Sequence, residues 1–334
     1  MALNAKVGAV ASLRGFVRQR VNEVGLLVAL LALILLLSTQ SENFFTPRNF
    51  SAILLDAALV GIVAWAATLV IITGEIDLSV GPAVAFWGVT LADLVTNFKV
   101  PFGLAVAIVL VGGAACGALA GWLRARFDVP TFISTLGLWS AFRGLAYFFT
   151  GAMPISIEMN PFLSALVGRV FGIPVPAILM FLLFFIFYFI TNKTTFGRAV
   201  FAVGGNPKAA ELGGINVTFT RVAVFAISGL MSAFLGIMVA ARLSSGSPGA
   251  AQGLEFSVIA AVVIGGTLLL GGKGTMTGTL LGVLFVTVIG NGLVLLGVNS
   301  FLQDVIRGGL IVGAVLLNLI VARRSNNSGV AKAK

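Results

Sequence analysis

The chain has 334 residues, of which 59% are hydrophobic and 10% charged, with a net charge of +10; an ordinary soluble domain carries about 25% charged residues. No soluble fold of this length buries so much apolar surface, and the cations lie between apolar runs rather than on one basic face, which excludes a nucleic-acid partner. A single cysteine, Cys116, and the absence of histidine exclude disulfides, histidine chemistry and the usual zinc or copper sites, so no cofactor and no metal are expected.

A membrane-crossing helix needs roughly 20 apolar residues. Runs of that kind lie near 22–39, 51–73, 79–97, 101–123, 130–150, 175–191, 222–241, 255–272, 276–297 and 301–322. The pattern predicts an all-α, polytopic membrane helix bundle of about ten transmembrane helices. The first run follows basic residues as in a signal peptide, but no small-residue cleavage site follows it, so it reads as a retained helix. The third is interrupted or flanked by Asp77, Gly81, Pro82 and Asp93. Glu75, Asp77 and Ser79, bracketed by Gly74 and Gly81, read either as a helix break whose backbone lines a cavity or as a polar turn at the inner interface. Gly117 with Gly121, and Gly278 with Gly282, form small-xxx-small patterns that favour close helix crossing.

Charged side chains inside a bilayer cost roughly 2.5–3.5 kcal/mol each. Asp56, Asp93, Arg143, Asp304 and Arg307 all fall in the outer halves of their runs, and Asp304 is one helical turn from Arg307, where the two can pair. They read as local pairs and snorkelling side chains, or together as a polar external vestibule for a hydroxylated substrate.

Two loops are long. In residues 151–174, external, Phe162, Leu163, Leu166, Val167, Val170 and Phe171 recur at helical spacing and predict a short surface helix. In residues 192–221, internal, Asn206 and Pro207 start a helix of about two turns that Gly213–Gly214 stops. With little apolar content (Ala209, Ala210, Leu212), this helix is expected to gain its order by inserting into a groove on a soluble partner, with Ala210 on an exposed small face. Gly271-Gly-Lys-Gly-Thr275 fails as a phosphate-binding loop, since Gly274 follows the lysine and Thr267 stands where the leading glycine belongs. It reads as a flexible turn, and ATP hydrolysis is expected on another chain.

Lysine and arginine are retained on the cytoplasmic side. With the amino terminus inside and ten crossings, internal segments hold 15 of these cations and external segments four, namely Arg48, Lys99, Arg169 and Arg242. Both termini are therefore expected inside. The organisation is a cytoplasmic segment 1–21, a transmembrane domain 22–322 containing the loop 192–221, and a cytoplasmic tail 323–334.

Three stretches carry a resemblance. Gly74-Glu-Ile-Asp-Leu-Ser-Val-Gly81, Pro130-Thr-Phe-Ile-Ser-Thr-Leu-Gly137, and Gly197-Arg-Ala-Val-Phe-Ala-Val-Gly-Gly-Asn206 with Ala209-Ala210 and Gly213-Gly-Ile215 resemble the permeases of ribose, xylose, arabinose and galactose ABC importers, over about residues 45–322. Glu75 departs from the family pattern, which has a small or polar residue there. The resemblance implies the cobalamin-importer type of permease fold and a multi-pass protein of the bacterial inner membrane. It implies import of a pentose or hexose by alternating access. Its implied partners are an ABC ATPase subunit, a periplasmic sugar-binding protein, a second permease copy or paralogue in a dimer, and membrane lipid. It places ATPase coupling on Gly205, Asn206, Pro207, Ala209, Ala210, Glu211 and Gly213. Asp56, Glu75, Asp77, Ser79, Arg143, Asp304 and Arg307 are the candidates for the substrate pathway, and no residue is expected to be catalytic. An ion-coupled secondary transporter, or a same-family permease for a nucleoside, polyol or autoinducer-like sugar, is the alternative.

The topology is testable with single cysteines in a Cys116→Ala background: in sealed cells, cysteines at Lys208 and Lys332 should resist an impermeant thiol reagent, and labelling of either from outside overturns the orientation.

Overall fold

The computed structural model describes residues 21–331 of the chain. Thirteen helices follow one another there: α1 (Val21–Gln40), α2 (Pro47–Ile72), α3 (Val80–Thr96), α4 (Phe102–Phe127), α5 (Thr131–Thr150), α6 (Pro161–Val167), α7 (Val175–Lys193), α8 (Thr195–Gly205), α9 (Pro207–Leu212), α10 (Val217–Leu243), α11 (Leu254–Ile264), α12 (Met276–Leu295) and α13 (Ser300–Ala331). Four two-residue strands, β1 (Ile155–Ser156), β2 (Arg169–Val170), β3 (Ile173–Pro174) and β4 (Ser245–Gly246), pair antiparallel as β1 with β4 and β2 with β3. Among the described residues, six helices are long and apolar enough to cross a membrane: α1, α2, α4, α7, α10 and α12. The predicted cytoplasmic segment 1–21 lies outside the described residues except for Val21.

Helix α2 is the axis of the bundle. It starts at Thr46, whose hydroxyl caps Asn49 N–H, with Pro47 in the first turn. A helix apolar on every face belongs in an interior, and from Gly61 to Ile72 every residue of α2 is buried, among them Trp65. It packs against α7, α8, α10, α11 and α12. Trp65 satisfies its buried indole N–H on Met180 O of α7 at 3.2 Å. Near its N-terminal end, Asn49 and Asn291 of α12 exchange two amide hydrogen bonds, at 3.1 and 2.7 Å.

Small residues decide which helices touch backbone to backbone. At Gly117 an added Cβ would collide with Phe225 O of α10, and at Gly113 it would meet Ala233 and Gly229. Gly278 and Gly282 of α12 lie on Gly265 and Ala261 in the same way. Both predicted small-xxx-small patterns are therefore helix-crossing points. The apolar sheet of lipid offers no gain from packing one leucine on another, so close approach and the dispersion it brings hold these pairs.

The structure departs from the predicted elements in four places. The run 255–272 is not one helix: α11 ends at Ile264, where Gly265 caps it and Gly266 adopts φ +93°. Its eleven residues span about 16 Å, roughly half the hydrocarbon core of about 30 Å, and residues 265–275 turn back without helix. The surface helix in the 151–174 loop exists as α6 and buries Leu163 and Leu166. Val170 and Phe171, however, belong to the β2–β3 hairpin, with Phe171 at φ +51° and fully exposed. Finally, α8 precedes the expected short helix; Thr194 caps it by accepting from Gly197 N–H. α13 continues to Ala331, past the predicted end at 322.

Gly117→Ala or Gly282→Ala should lower the melting temperature of the detergent-solubilised protein, as overpacking costs typically 1–3 kcal/mol. Gly137→Ala, which adds a methyl into open space on α5, should leave it unchanged or raise it.

Candidate functional site

Between α2 and α3 the chain is non-helical from Thr73 to Ser79, in the interior of the bundle. Gly74 makes the break possible by taking φ +79°, a conformation side chains resist. A break in a membrane interior leaves backbone N–H groups without helical partners, and each must be satisfied by protein. Two threonines of α5 do this: Ile76 N–H donates to Thr131 Oγ1 at 3.3 Å and Leu78 N–H to Thr135 Oγ1 at 3.2 Å. Ser79 N–H donates to the Asp77 carboxylate at 2.9 Å. The first two motifs of the sequence are thus the two halves of one site.

The acids of the break are committed as well. Glu75, 6% exposed, accepts from Arg124 Nε of α4 at 2.9 Å and from Thr131 Oγ1 at 2.9 Å. Arg221 Nε of α10 lies 3.1 Å from the same Glu75 oxygen that Arg124 engages. Asp77 accepts from the Ser79 hydroxyl at 2.6 Å and, on its other oxygen, from Ser228 of α10 at 2.7 Å. Glu75 therefore ties α4, α5 and α10 to the end of α2. A cleft of about 240 Å³ lined by Gly74, Glu75, Ile76, Arg124, Thr131 and Phe132 opens beside it. The segment is an interruption between two helices with a cleft beside it, and the acids within it have fixed partners.

The third motif reaches the same place. Gly204, near the end of α8, lies so close to Ile72 O that a Cβ would collide with it, and Gly272 N–H donates to Ile72 O at 2.8 Å. Gly271, at φ +84°, packs on Gly74 N and Gly204 O. The turn 271–274 is accordingly wedged between α8 and the helix break. From Gly204 the chain passes directly into α9, where Asn206 Oδ1 accepts from Ala209 N–H at 3.1 Å as the expected cap, and Gly213 and Gly214 end the helix. The expectation of an exposed small face at Ala210 is corrected: Ala210 is 6% exposed, because Ile215 N–H folds back onto its carbonyl, whereas Leu212 is 92% exposed. Gly205, Asn206, Ala209, Glu211 and Gly213 are exposed and Pro207 half-buried.

The charges expected in the outer halves of their runs divide. Arg307 pairs with Asp304 at 3.0 Å, as the spacing predicts. Asp56 approaches Arg242 at 3.8 Å. Asp56 and Arg307 line one cleft, of about 310 Å³, between α2, α11, α12 and α13. Arg143 and Asp93 do not line it. Arg143 donates to the carbonyls of Pro248 and Ala250, at 2.6 and 3.1 Å, and Asp93 accepts from Asn97 at 2.7 Å. A single vestibule of five charges is therefore not what the fold builds. Sequence reasoning missed Glu255, which is 2% exposed, accepts from Trp139 Nε1 at 2.9 Å, and lies against Gly81. Its position at the start of an apolar run was the available signal. It also missed Arg124 and Arg221, which read as loop cations until Glu75 claims them.

Such an assembly, multiple apolar helices around a braced helix break, is that of a polytopic helical membrane protein. A family profile described as "Branched-chain amino acid transport system / permease component" matches residues 49–315, and the chain belongs to that family of ABC transporter permeases. It is 54% identical to the probable ABC transporter permease protein YphD of Escherichia coli K12, over 96% of both chains. It is 39% identical to the L-arabinose ABC transporter permease protein AraH of Azospirillum brasilense, over 92% of this chain and 91% of that one. The ribose import permease protein RbsC of Escherichia coli K12 is likewise 39% identical, over 92% and 97%. No solved structure matches the chain.

Glu75→Gln should be strongly destabilising, since it leaves Arg124 and Arg221 without their carboxylate and breaking such a buried pair costs about 3–5 kcal/mol. Glu255→Gln keeps an acceptor for Trp139 and should be near neutral. Thermal melting of both variants in detergent checks the contrast; equal melting temperatures would show that Glu75 is not a tie.

Proposed function

We propose that the chain is the membrane-spanning half of an ATP-driven importer that moves a small sugar, pentose or hexose, from a periplasmic binding protein into the cytoplasm. The reading rests chiefly on one observation: the exposed α9 is joined, through the close backbone contact of Gly204 with Ile72, to the helix break at 73–79. A push on α9 therefore has a stiff route to Gly74, and from there through Glu75 to α4, α5 and α10. Coupled motion between distant sites needs a contiguous element of this kind. An exposed leucine beside exposed Ala209 on a two-turn helix suits a groove on an ATPase subunit.

In this reading both termini and the loop 192–221 are cytoplasmic, and the chain forms ten membrane segments. Segment eight is α11 completed by the turn 265–275. Two copies, or this chain and a paralogue, enclose the pathway. The 39% relatives named for ribose and arabinose support a sugar as substrate. The commitment of Glu75 and Asp77 to fixed partners counts against an ion-coupled mechanism, which needs buried acids free to exchange ions.

Coupling is tested on the exposed positions. Leu212→Glu and Ala209→Glu should insert normally, fail to co-purify with the ATPase subunit, and lose substrate-stimulated ATP hydrolysis. Asn206→Ala should be milder, since a lost cap costs about 1 kcal/mol. Leu212→Glu protein that assembles and transports at the parental rate would overturn the assignment of α9.

A further inference from the structure

We infer that the cleft between α2, α11, α12 and α13 is a receiving site for a neutral, hydroxyl-rich solute of monosaccharide size, formed within one copy of the chain. This deepens the importer reading and rests on it. The cleft holds about 310 Å³ and its polar lining comes from Asp56, Ser257, Thr287, Asn291, Gln303 and Arg307. It lies toward the end of the bundle where α1 turns into α2 and α12 into α13, the end assigned to the outside.

Three features of the lining select the ligand. First, the polar groups retain open hydrogen-bonding capacity. Ser257 is buried, and while its N–H donates to Gly253 O at 3.3 Å, its hydroxyl makes no hydrogen bond among the described residues. Gln303 uses its Nε2 on Val298 O at 2.8 Å, which leaves Oε1 to accept. Thr287 donates to Val283 O at 2.7 Å and keeps its lone pairs. Arg307 spends Nη1 on Asp304 and retains its other donors. Asp56 has only the distant Arg242 contact. Buried polar groups normally have partners, so the open Ser257 hydroxyl, with the half-buried Gln303 and Arg307 and the exposed Asp56 around the same cavity, suits a ligand, or water, that supplies both donors and acceptors.

Second, one carboxylate and one guanidinium balance in charge, so the cleft does not favour an anion or a cation. Third, the remaining wall is aliphatic, with Ile306 and Leu310 among its residues. A sugar ring offers the matching surface, hydroxyls around its rim and C–H groups on its faces. Ligand pockets of this size combine a largely apolar wall with a few fixed polar groups. The floor is rigid, because Asn291 is held by its double amide bond to Asn49. Few of the groups are fixed by strong ion pairing, which fits a site that must release its solute as well as take it.

The test uses the full chain reconstituted with its ATPase and binding protein, and a panel of D-ribose, L-arabinose, D-xylose and D-galactose. Gln303→Leu removes the open acceptor without adding charge, and should raise the apparent KM for the transported sugar about tenfold, the effect of losing a hydrogen bond to a buried partner. In a Cys116→Ala background, Ser257→Cys should react with a small methanethiosulfonate reagent, and the transported sugar should slow that reaction severalfold while non-transported sugars do not. If the parental complex transports the sugar but Gln303→Leu keeps its KM and Ser257→Cys shows no protection, the cleft is refuted and the importer reading stands. If the parental complex takes up none of the panel, the sugar reading fails and the site falls with it. Should Gln303→Leu not reach the membrane, the protection of Ser257→Cys decides the matter alone.

Discussion

A helix that stops inside a membrane protein must find partners for the backbone groups it exposes, and the break at 73–79 is where this chain meets that demand. Glu75 and Asp77 are buried there, so a carboxylate or N–H left without a partner would carry a desolvation cost. The supply comes from three directions at once: threonine hydroxyls of α5, guanidinium groups of α4 and α10, and the glycine turn after α11. Because one short segment recruits all of them, the relative placement of α2, α4, α5 and α10 follows from it. Glu75 is the centre of the arrangement, and both its arginines come from later in the chain, Arg124 from α4 and Arg221 from α10.

This brace also sets how the subunit can move. Backbone contacts at Gly204, Gly271 and Gly272 leave no side chain to deform between α8 and the break. Motion at one is therefore carried to the other with little loss, as packed interfaces switch between discrete arrangements rather than yielding continuously. The opposite end of the bundle, where Asn49 meets Asn291, is built differently. There the cleft beside Asp56 and Arg307 is bounded by aliphatic side chains and singly engaged polar groups, which can adjust to a solute without breaking a network. One end of the bundle is thus stiff and the other adaptable.

Much of this was legible in the residues, and the rest was hidden for identifiable reasons. The cap at Asn206, the pair of Asp304 with Arg307, and the crossings at Gly117 and Gly278 are local or one-helix properties, and spacing alone predicts them. Ala210 was misplaced because a six-residue helix has no periodicity long enough to tell its faces apart; the folding back of Ile215 buries it. The run 255–272 looked continuous because Gly265 and Gly266 are apolar in any hydropathy count, yet Gly266 takes a backbone angle that ends a helix.

The sequence by itself determined that this is an all-helical membrane protein with a broken segment after α2, since apolar length and glycine placement are properties of the chain. It also carried the three motifs of the permease family. Only the tertiary structure decided that the motifs converge, that Arg124 and Arg221 belong to Glu75, and that Asp56 shares a cleft with Arg307 while Arg143 does not. Each of these joins residues from tens to some 250 positions apart in the chain, and charge and hydropathy carry no information about which distant partner will be near until the helices have packed.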